Sequence, residues 1–407
     1  MRSTLGTWNI PLAAADTSPT SHPRSAVPFA DEMIDRRTAL DLADALETAA
    51  PSTTSARVRE VAESLSALSL RERVDALRAA MLQDLGESYP ALAAVVRRAV
   101  RDAPTFRGWM IWPASTAVAE SATADGSPAA TSDALDLLAE LTGLLSSEFA
   151  LRILMRHDLE QVLERALVWT GSEDEHVRRL ASEGTRPYLP WAVRVPRLTA
   201  DPGRTIPILD RLHRDPSEYV RRSVANHLND LSRDDPALVV ATAARWIGAT
   251  DEAGGSGAPA AATQKLVRHA LRTLLKHGDP SALALLGYPD PAGTLEVDGP
   301  HLDRERVEMG DSIELRASVR NTGAEPVRLM IDYIVHHATA AGTQSTKTFK
   351  LTTASLDPGQ ELTVRKAHSF RPITTRRYYD GPHAISLQIN GVASGRQNFH
   401  LGSPSAD

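Results

Sequence analysis

Four side chains able to act on a developing positive charge gather in one short stretch of the chain: Glu183, Asn226, Asn229 and Asp230. They lie in two blocks, residues 178–191 (RRLASEGTRPYLPW) and residues 219–230 (YVRRSVANHLND). Grouped carboxylates favour cationic transition states and can orient or deprotonate a water. Asp230 follows Asn226 by one helical turn, so the two share a helix face. The neighbouring Arg186, Arg221 and Arg222 carry forked guanidinium groups that fit phosphate oxygens two at a time. The same residue types also serve structure. Glu183 can pair with Arg186, Trp191 can fill a core, and an arginine beginning a helix can bond a neighbouring turn. Both readings stand for Arg178 and Arg221. The crowding of Glu183, Asn226, Asn229 and Asp230 fits a working surface better than a plain scaffold.

The elements that must position these groups repeat. Val177-Arg178-Arg179 aligns with Val220-Arg221-Arg222, and a third copy is Val267-Arg268-His269, at offsets of 43 and 47 residues. Glu183 then falls on Asn226, with Thr273 in that place in the third copy. Repeats of this length built from helix pairs predict HEAT-like or armadillo-like units. Such units stack into a curved solenoid with a concave face.

The run Ser182-Glu183-Gly184-x-Arg186-Pro187-x-Leu189-Pro190-Trp191 is followed by Pro207-Ile208-Leu209. Asp215-Pro216-Ser217-x-Tyr219-Val220-Arg221-Arg222-Ser223-Val224-Ala225-Asn226-x-Leu228-Asn229-Asp230 comes next. Together these closely resemble the AlkC branch of the AlkC/AlkD-like DNA alkylation repair glycosylases. Gly108-Trp109-x-Ile111-Trp112-Pro113 and Ser147-Glu148-Phe149-Ala150-x-Arg152 extend the likeness over roughly residues 30–290. One departure is Ile153, where the pattern has Pro. The resemblance implies a DNA-3-methyladenine/3-methylcytosine-type glycosylase of base excision repair. It implies hydrolysis of the N-glycosidic bond of cationic N-alkylated bases in alkylated double-stranded DNA, without base flipping. A cationic base already leaves well, so no acid is required to protonate it. By resemblance Glu148, Glu183 and Asp230 are the catalytic carboxylates, with Glu183 or Asp230 beside the water, and Trp191 is an aromatic wall. The expected DNA contacts are Arg152, Arg186, Arg194, Arg221, Arg222, Asn226, Asn229 and Arg268.

Composition narrows the remaining classes. The chain has 407 residues and a formal net charge of −6, with 24% charged residues, so two soluble domains are the expectation. The deficit is confined to residues 1–147, with 13 basic against 19 acidic side chains; residues 148–290 carry 19 of each. A neutral solenoid can still segregate charge onto one face. Cysteine is absent, which excludes disulfides, thiol nucleophiles and cysteine-ligated metals. No apolar run approaches the ~20 residues that span a bilayer. No cofactor or metal is expected, and the location is cytoplasmic, associated with the nucleoid through DNA. The helical region has two lysines, Lys265 and Lys276, neither in the core blocks. An amine-dependent lyase step is therefore not expected, and the enzyme is read as monofunctional and monomeric.

Along the chain, residues 1–29 are expected as a disordered leader, 30–290 as the helical repeat domain and 295–402 as an all-β, immunoglobulin-like sandwich. Within the helical part, Trp109 and Trp112 are packing anchors at a break. Residues 119–131 predict a loop from their Ala, Ser, Thr, Gly and Pro content. Gly254–Gly257 reads as a helix connection. After Tyr288 the hydrophobic period changes from 3.6 to 2 in segments such as IELRASVR and VRLMIDYIV. His336 and His337 are a strand end without a third metal ligand at useful spacing. Arg371, Arg376 and Arg377, interleaved with aromatics, are further expected DNA contacts. The rival reading is a non-enzymatic scaffold that binds DNA or protein, and an adhesion module is a weaker third.

Overall fold

The computed structural model describes residues 33–86, 88–252, 258–373 and 376–402. The leader and the Gly254–Gly257 connection lie outside them. The helical region starts with α1 (Arg36–Ala49), α2 (Ala56–Ser64), α3 (Leu70–Leu85) and α4 (Tyr89–Asp102). It continues with α5 (Ile111–Asp125), α6 (Pro128–Thr142), α7 (Glu148–His157) and α8 (Leu159–Trp169). The helices α9 (Glu175–Glu183), α10 (Pro196–Ala200), α11 (Ile206–Leu212) and α12 (Glu218–Leu231) hold the two blocks. The last four are α13 (Pro236–Glu252), α14 (Ala258–Ala270), α15 (Arg272–His277) and α16 (Pro280–Leu285).

Local chemistry starts these helices. Ser69 and Glu72 form a reciprocal capping box on α3. Asp174 accepts from the His176 N–H at 2.8 Å and so caps α9. The 119–131 loop expectation is corrected: α5 runs through Asp125, and α6 begins at Pro128. The residues of α5 are buried along nearly its whole length, because it is a central helix hemmed in by α3, α4, α6 and α7, where small Ala, Ser and Thr side chains let the neighbours approach closely. The Trp109–Pro113 break is a helix start. A 3₁₀ turn over Gly108–Met110 leads into α5 with Pro113 in its first turn, where no N–H is needed.

The helix-pair repeat has a specific cause. Arg178 donates from Nη1 to the carbonyls of Ser172 and Glu173, both at 2.9 Å. Arg221 donates from Nη1 to the carbonyls of Asp215 and Pro216. These acceptors match at the same 43-residue offset, so each arginine closes the turn leading into its own helix. Arg178 also grips Asp215 with Nε and Nη2 at 2.7 and 3.1 Å, tying one repeat to the next.

Eight strands follow. They are β1 (Leu295–Leu302), β2 (Arg306–Glu308), β3 (Ser312–Asn321) and β4 (Val327–Ala338), then β5 (Gln344–Leu356), β6 (Glu361–Ser369), β7 (Gly381–Ile389) and β8 (Val392–Gly402). They form a three-stranded sheet β1-β3-β6 and a five-stranded sheet β2-β8-β7-β4-β5. Only β2 and β8 pair in parallel. Ile313, Leu315, Ala317 and Val319 of β3 alternate inward, as half-buried strands must. Central β4 is buried on both faces: Leu329, Ile331 and Val335 enter the sandwich core, while Met330 joins the helical core.

The β7–β8 hairpin tip is the joint between the domains. Asn390 and Gly391 both have positive φ, 46° and 85°, as a two-residue hairpin of matching twist requires. Asn390 donates through Nδ2 to the carbonyls of Pro289 and Arg328 at 2.8 and 2.9 Å. Gly391 lies against Gly278, the left-handed residue ending α15. No helix among the described residues is long and apolar enough to cross a membrane.

Candidate active site

Three elements deliver the carboxylates: Glu148 begins α7, Glu183 ends α9, and Asp230 lies near the end of α12. All three are less than a tenth exposed. Burying three anions is tolerable only if cations accompany them, and two arginines do so. Arg186 donates from Nη1 to Glu183 Oε1 at 2.6 Å. The same guanidinium grips Asp230 with Nε and Nη2 at 2.9 and 3.2 Å. Arg179 pairs with Glu148 and reaches Glu183 Oε1 at 3.6 Å. The result is one chain of charge, Glu148–Arg179–Glu183–Arg186–Asp230.

Glu183 is its hub. Its second oxygen accepts from Ser223 Oγ at 2.7 Å. Burial alone would raise its pKa, but Arg179, Arg186 and the Ser223 hydroxyl outweigh that and hold it below the usual carboxylate range. Glu148 Oε2 accepts from both Ser146 Oγ and Arg179. Among the described residues its Oε1 accepts no hydrogen bond. Behind the network His227 is fully buried between the Ser182 carbonyl and Thr205 Oγ1, at 2.8 and 3.0 Å. Burial pushes its pKa down to about 3, so it is a neutral strut between α9 and α12.

The loop after α9 presents the aromatic group. Trp191 has φ of 60°, a left-handed conformation rarely held by a bulky residue and characteristic of functional sites. Its side chain is 52% exposed. Arg71 of α3 donates to its carbonyl at 3.0 Å. Arg152 fixes the flanks of the loop, donating to Val193 O at 2.9 Å and to the carbonyls of Gly184 and Arg186.

Two expected DNA contacts are thereby corrected. Arg152 is wholly buried and its pKa falls to about 10 from burial and the nearby Arg194 and Arg186; it holds backbone. Arg186 is buried and spends Nε, Nη1 and Nη2 on Glu183 and Asp230. Arg221 spends Nη1 on its turn. Asn229 is buried, its Oδ1 accepting from the Thr273 N–H at 3.2 Å. The other expected residues face outward. Arg194 and Arg233 lie on the Tyr188 ring, each guanidinium carbon 4.6 Å from its centroid. Arg222 and Arg268 are exposed, and Asn226 is half-buried. In the sandwich Arg371 and Arg377 are exposed, with Arg377 over Tyr379, whereas Arg376 is half-buried.

Sequence reasoning passed over Arg179 and Tyr219. Arg179 lies over the half-open Tyr219 ring, 5.2 Å from its centroid. The signal was there: Arg179 precedes Glu183 by one helical turn, the spacing of a helical ion pair. Tyr219 carried no comparable signal, since its neighbour Arg179 comes from another repeat. Among the described residues no group of three or more His, Asp or Glu side chains could hold a metal ion.

The sequence model of the DNA alkylation repair enzyme family matches residues 144–251, the segment holding Glu148, Glu183, Trp191 and Asp230. That of the C-terminal Ig-like domain of the uncharacterised protein YhaZ matches residues 296–403. YhaZ of Bacillus subtilis (strain 168) is 36% identical over 269 residues, covering 66% of this chain and 72% of the relative. The Pseudomonas fluorescens alkylpurine DNA glycosylase AlkC, solved bound to DNA containing an abasic site analog, is similar in structure with a TM-score of 0.77. It is 29% identical, over 92% of this chain and 99% of that one. With its helical domain, its Ig-like domain and its arginine-bridged carboxylates, the chain belongs to the DNA alkylation repair enzyme family, in the AlkC-like branch of DNA glycosylases that carry a C-terminal Ig-like domain.

Proposed function

We propose that the protein is a monofunctional DNA glycosylase that releases cationic N3-alkylated bases, of the 3-methyladenine and 3-methylcytosine class, from double-stranded DNA. The observation that carries this reading is the trio of carboxylates in one charged network, together with the exposed, left-handed Trp191 on the loop after α9. The similarity to a glycosylase held on abasic DNA supports it. A positively charged base leaves with the electron pair of the N-glycosidic bond and becomes neutral, so no acid is needed. The sugar passes through an oxocarbenium-like state that a nearby anion stabilises. Asp230 is our choice for the water-positioning group. Among the described residues the Asp230 carboxylate is held by Arg186 alone, whereas Glu183 is shared among Arg179, Arg186 and Ser223. Asp230 takes the proton as the water oxygen bonds to C1′. Glu183 supplies fixed negative charge and Glu148 a second. Trp191 faces the lesion, where an indole attracts a cation by about 0.5–2 kcal/mol. The shallow carboxylate floor suits a base left in the helix rather than rotated into a deep pocket. A cytoplasmic, nucleoid-associated monomer completes this reading. Chromatography of alkylated DNA incubated with the protein is the direct test. Release of methylated base is expected, and binding without release would instead establish a scaffold.

A further inference from the structure

Below the carboxylates, α12 and α14 are joined by rungs of side chains. Lys265 pairs with Glu218 at 2.6 Å. Further along both helices, His269 Nε2 lies 2.9 Å from Asn226 Oδ1. The amide oxygen accepts, so Nε2 carries the hydrogen and Nδ1 is the basic nitrogen. Arg222 sits between these rungs, exposed, and makes no hydrogen bond or ion pair among the described residues. It is one turn after Glu218, whose partner is Lys265. Arg272, beginning α15, donates from Nη1 to the His269 carbonyl at 2.7 Å. Burial and the nearby Arg186 push its pKa down, while Asp230 acts in the opposite sense. The charged groups facing the imidazole are thus Arg222 of α12 and Arg272 of α15, with Arg268 its neighbour on α14. Burial and these two arginines lower the His269 pKa to about 4.

Two guanidinium groups and an imidazole therefore converge from three helices, on the α12 stripe that continues through Asn226 to Asp230. We infer that Arg222, His269 and Arg272 form a phosphodiester subsite, and that His269 Nδ1 takes up a proton when a DNA phosphate enters. The cause is electrostatic. After burial, Arg272 and Arg222 are what disfavour the charged ring; an entering phosphodiester offsets part of their repulsion and itself favours imidazolium. The subsite rests on the DNA-binding reading above and adds a pH dependence to it.

The test is binding of the full-length protein to a duplex carrying an abasic-site analogue, followed by anisotropy from pH 6 to 8. Calorimetry at pH 7 in buffers of different ionisation enthalpy counts the protons. A bound-state pKa raised by the close anion is expected to make affinity fall as pH rises from 6 to 8, by up to about tenfold for each unit of the shift that lies within that window. Wild type is expected to take up a fraction of a proton, and His269→Gln to take up none and lose the pH dependence. Arg272→Gln is expected to weaken binding at every pH while shrinking the uptake. His269 is exposed and Arg272 half-buried, and circular dichroism checks that each variant is folded. Equal uptake by His269→Gln and wild type overturns the subsite while leaving the glycosylase reading intact. Failure of wild type to bind DNA at any pH overturns both. Proton-linked binding without base release keeps the subsite and removes the enzyme.

Discussion

Glu183 and Asp230 share Arg186, but Glu183 also meets Arg179 and Ser223, and in the proposed mechanism that difference separates their roles. Asp230→Asn removes a charge and a proton acceptor while keeping the shape. Excision of 3-methylcytosine in single turnover is expected to fall by about 10²–10³, the usual cost of one well-placed electrostatic contact. Glu183→Gln also leaves Arg179 and Arg186 short of an anion, so it should cost stability as well as rate. Wild-type excision by both variants would remove this site assignment. Trp191 offers a cleaner separation. Its left-handed backbone costs about 1–2 kcal/mol, roughly what glycine would lose in chain entropy. Trp191→Gly should therefore melt within a few degrees of wild type yet lose most excision; retained excision would make the indole a bystander. At this scale the proposed quartet of Glu148, Glu183, Trp191 and Asp230 rests on a family pattern that is dense around it. The partners were not legible. Arg152 and Arg186 look like phosphate contacts in sequence, and only the fold shows that buried acids and loop carbonyls consume them.

Elements follow the same division between local signal and tertiary context. The Val-Arg repeat was legible as a repeat, and the shared acceptors of Arg178 and Arg221 explain it. Arg221→Ala should destabilise the protein by about 1–3 kcal/mol, the cost of leaving engaged carbonyls unsatisfied. It should also leave the salt dependence of DNA binding unchanged. A phosphate contact would instead reduce the slope by about 1, so melting and a salt titration together decide. The 119–131 segment misled because small residues mark both loops and tightly packed central helices. Within the sandwich, His337, His368 and His383 are buried together around Phe370. Burial lowers all three, His337 to about 3 and His368 to about 4. Their folded pKa values lie below the unfolded value of about 6.5. The unfolded chain thus binds more protons in between, and stability is full above pH 6.5 and lost as pH falls toward 4. Asp332, raised to about 6 by burial, opposes this with a single group. Calorimetry should show the sandwich transition dropping between pH 7 and 5, and His337→Phe should flatten that drop.

Across the whole molecule, the two domains meet at a joint that includes the β7–β8 hairpin tip, Met330 and the Arg328–Tyr288 contact. The change of hydrophobic period near Tyr288 made the division legible. The docking was not, because it depends on two glycines 113 positions apart in sequence. A Cβ on Gly391 would stand 2.5 Å from Gly278 O and 2.7 Å from Leu283 Cδ1. Both atoms belong to packed structure, so the hairpin tip must move away. Gly391→Ala is therefore expected to loosen the joint without touching the carboxylates, Trp191 or the exposed arginines. If the sandwich closes on DNA through Arg371 and Arg377, that variant should bind an abasic duplex more weakly while excising bound lesions at the wild-type rate. The double variant Arg371→Gln, Arg377→Gln keeps the joint and removes two cations. Its log–log salt slope should be shallower by about 1.8, at about 0.9 per phosphate neutralised. Scattering in solution would show a broader shape distribution for Gly391→Ala alone. An unaltered salt slope in the double variant would return the sandwich to a role away from DNA. The net charge of −6 predicts weak nucleic-acid binding by the chain as a whole, so a few arginines on facing surfaces must supply most of the attraction. That makes the salt slope the sensitive measurement.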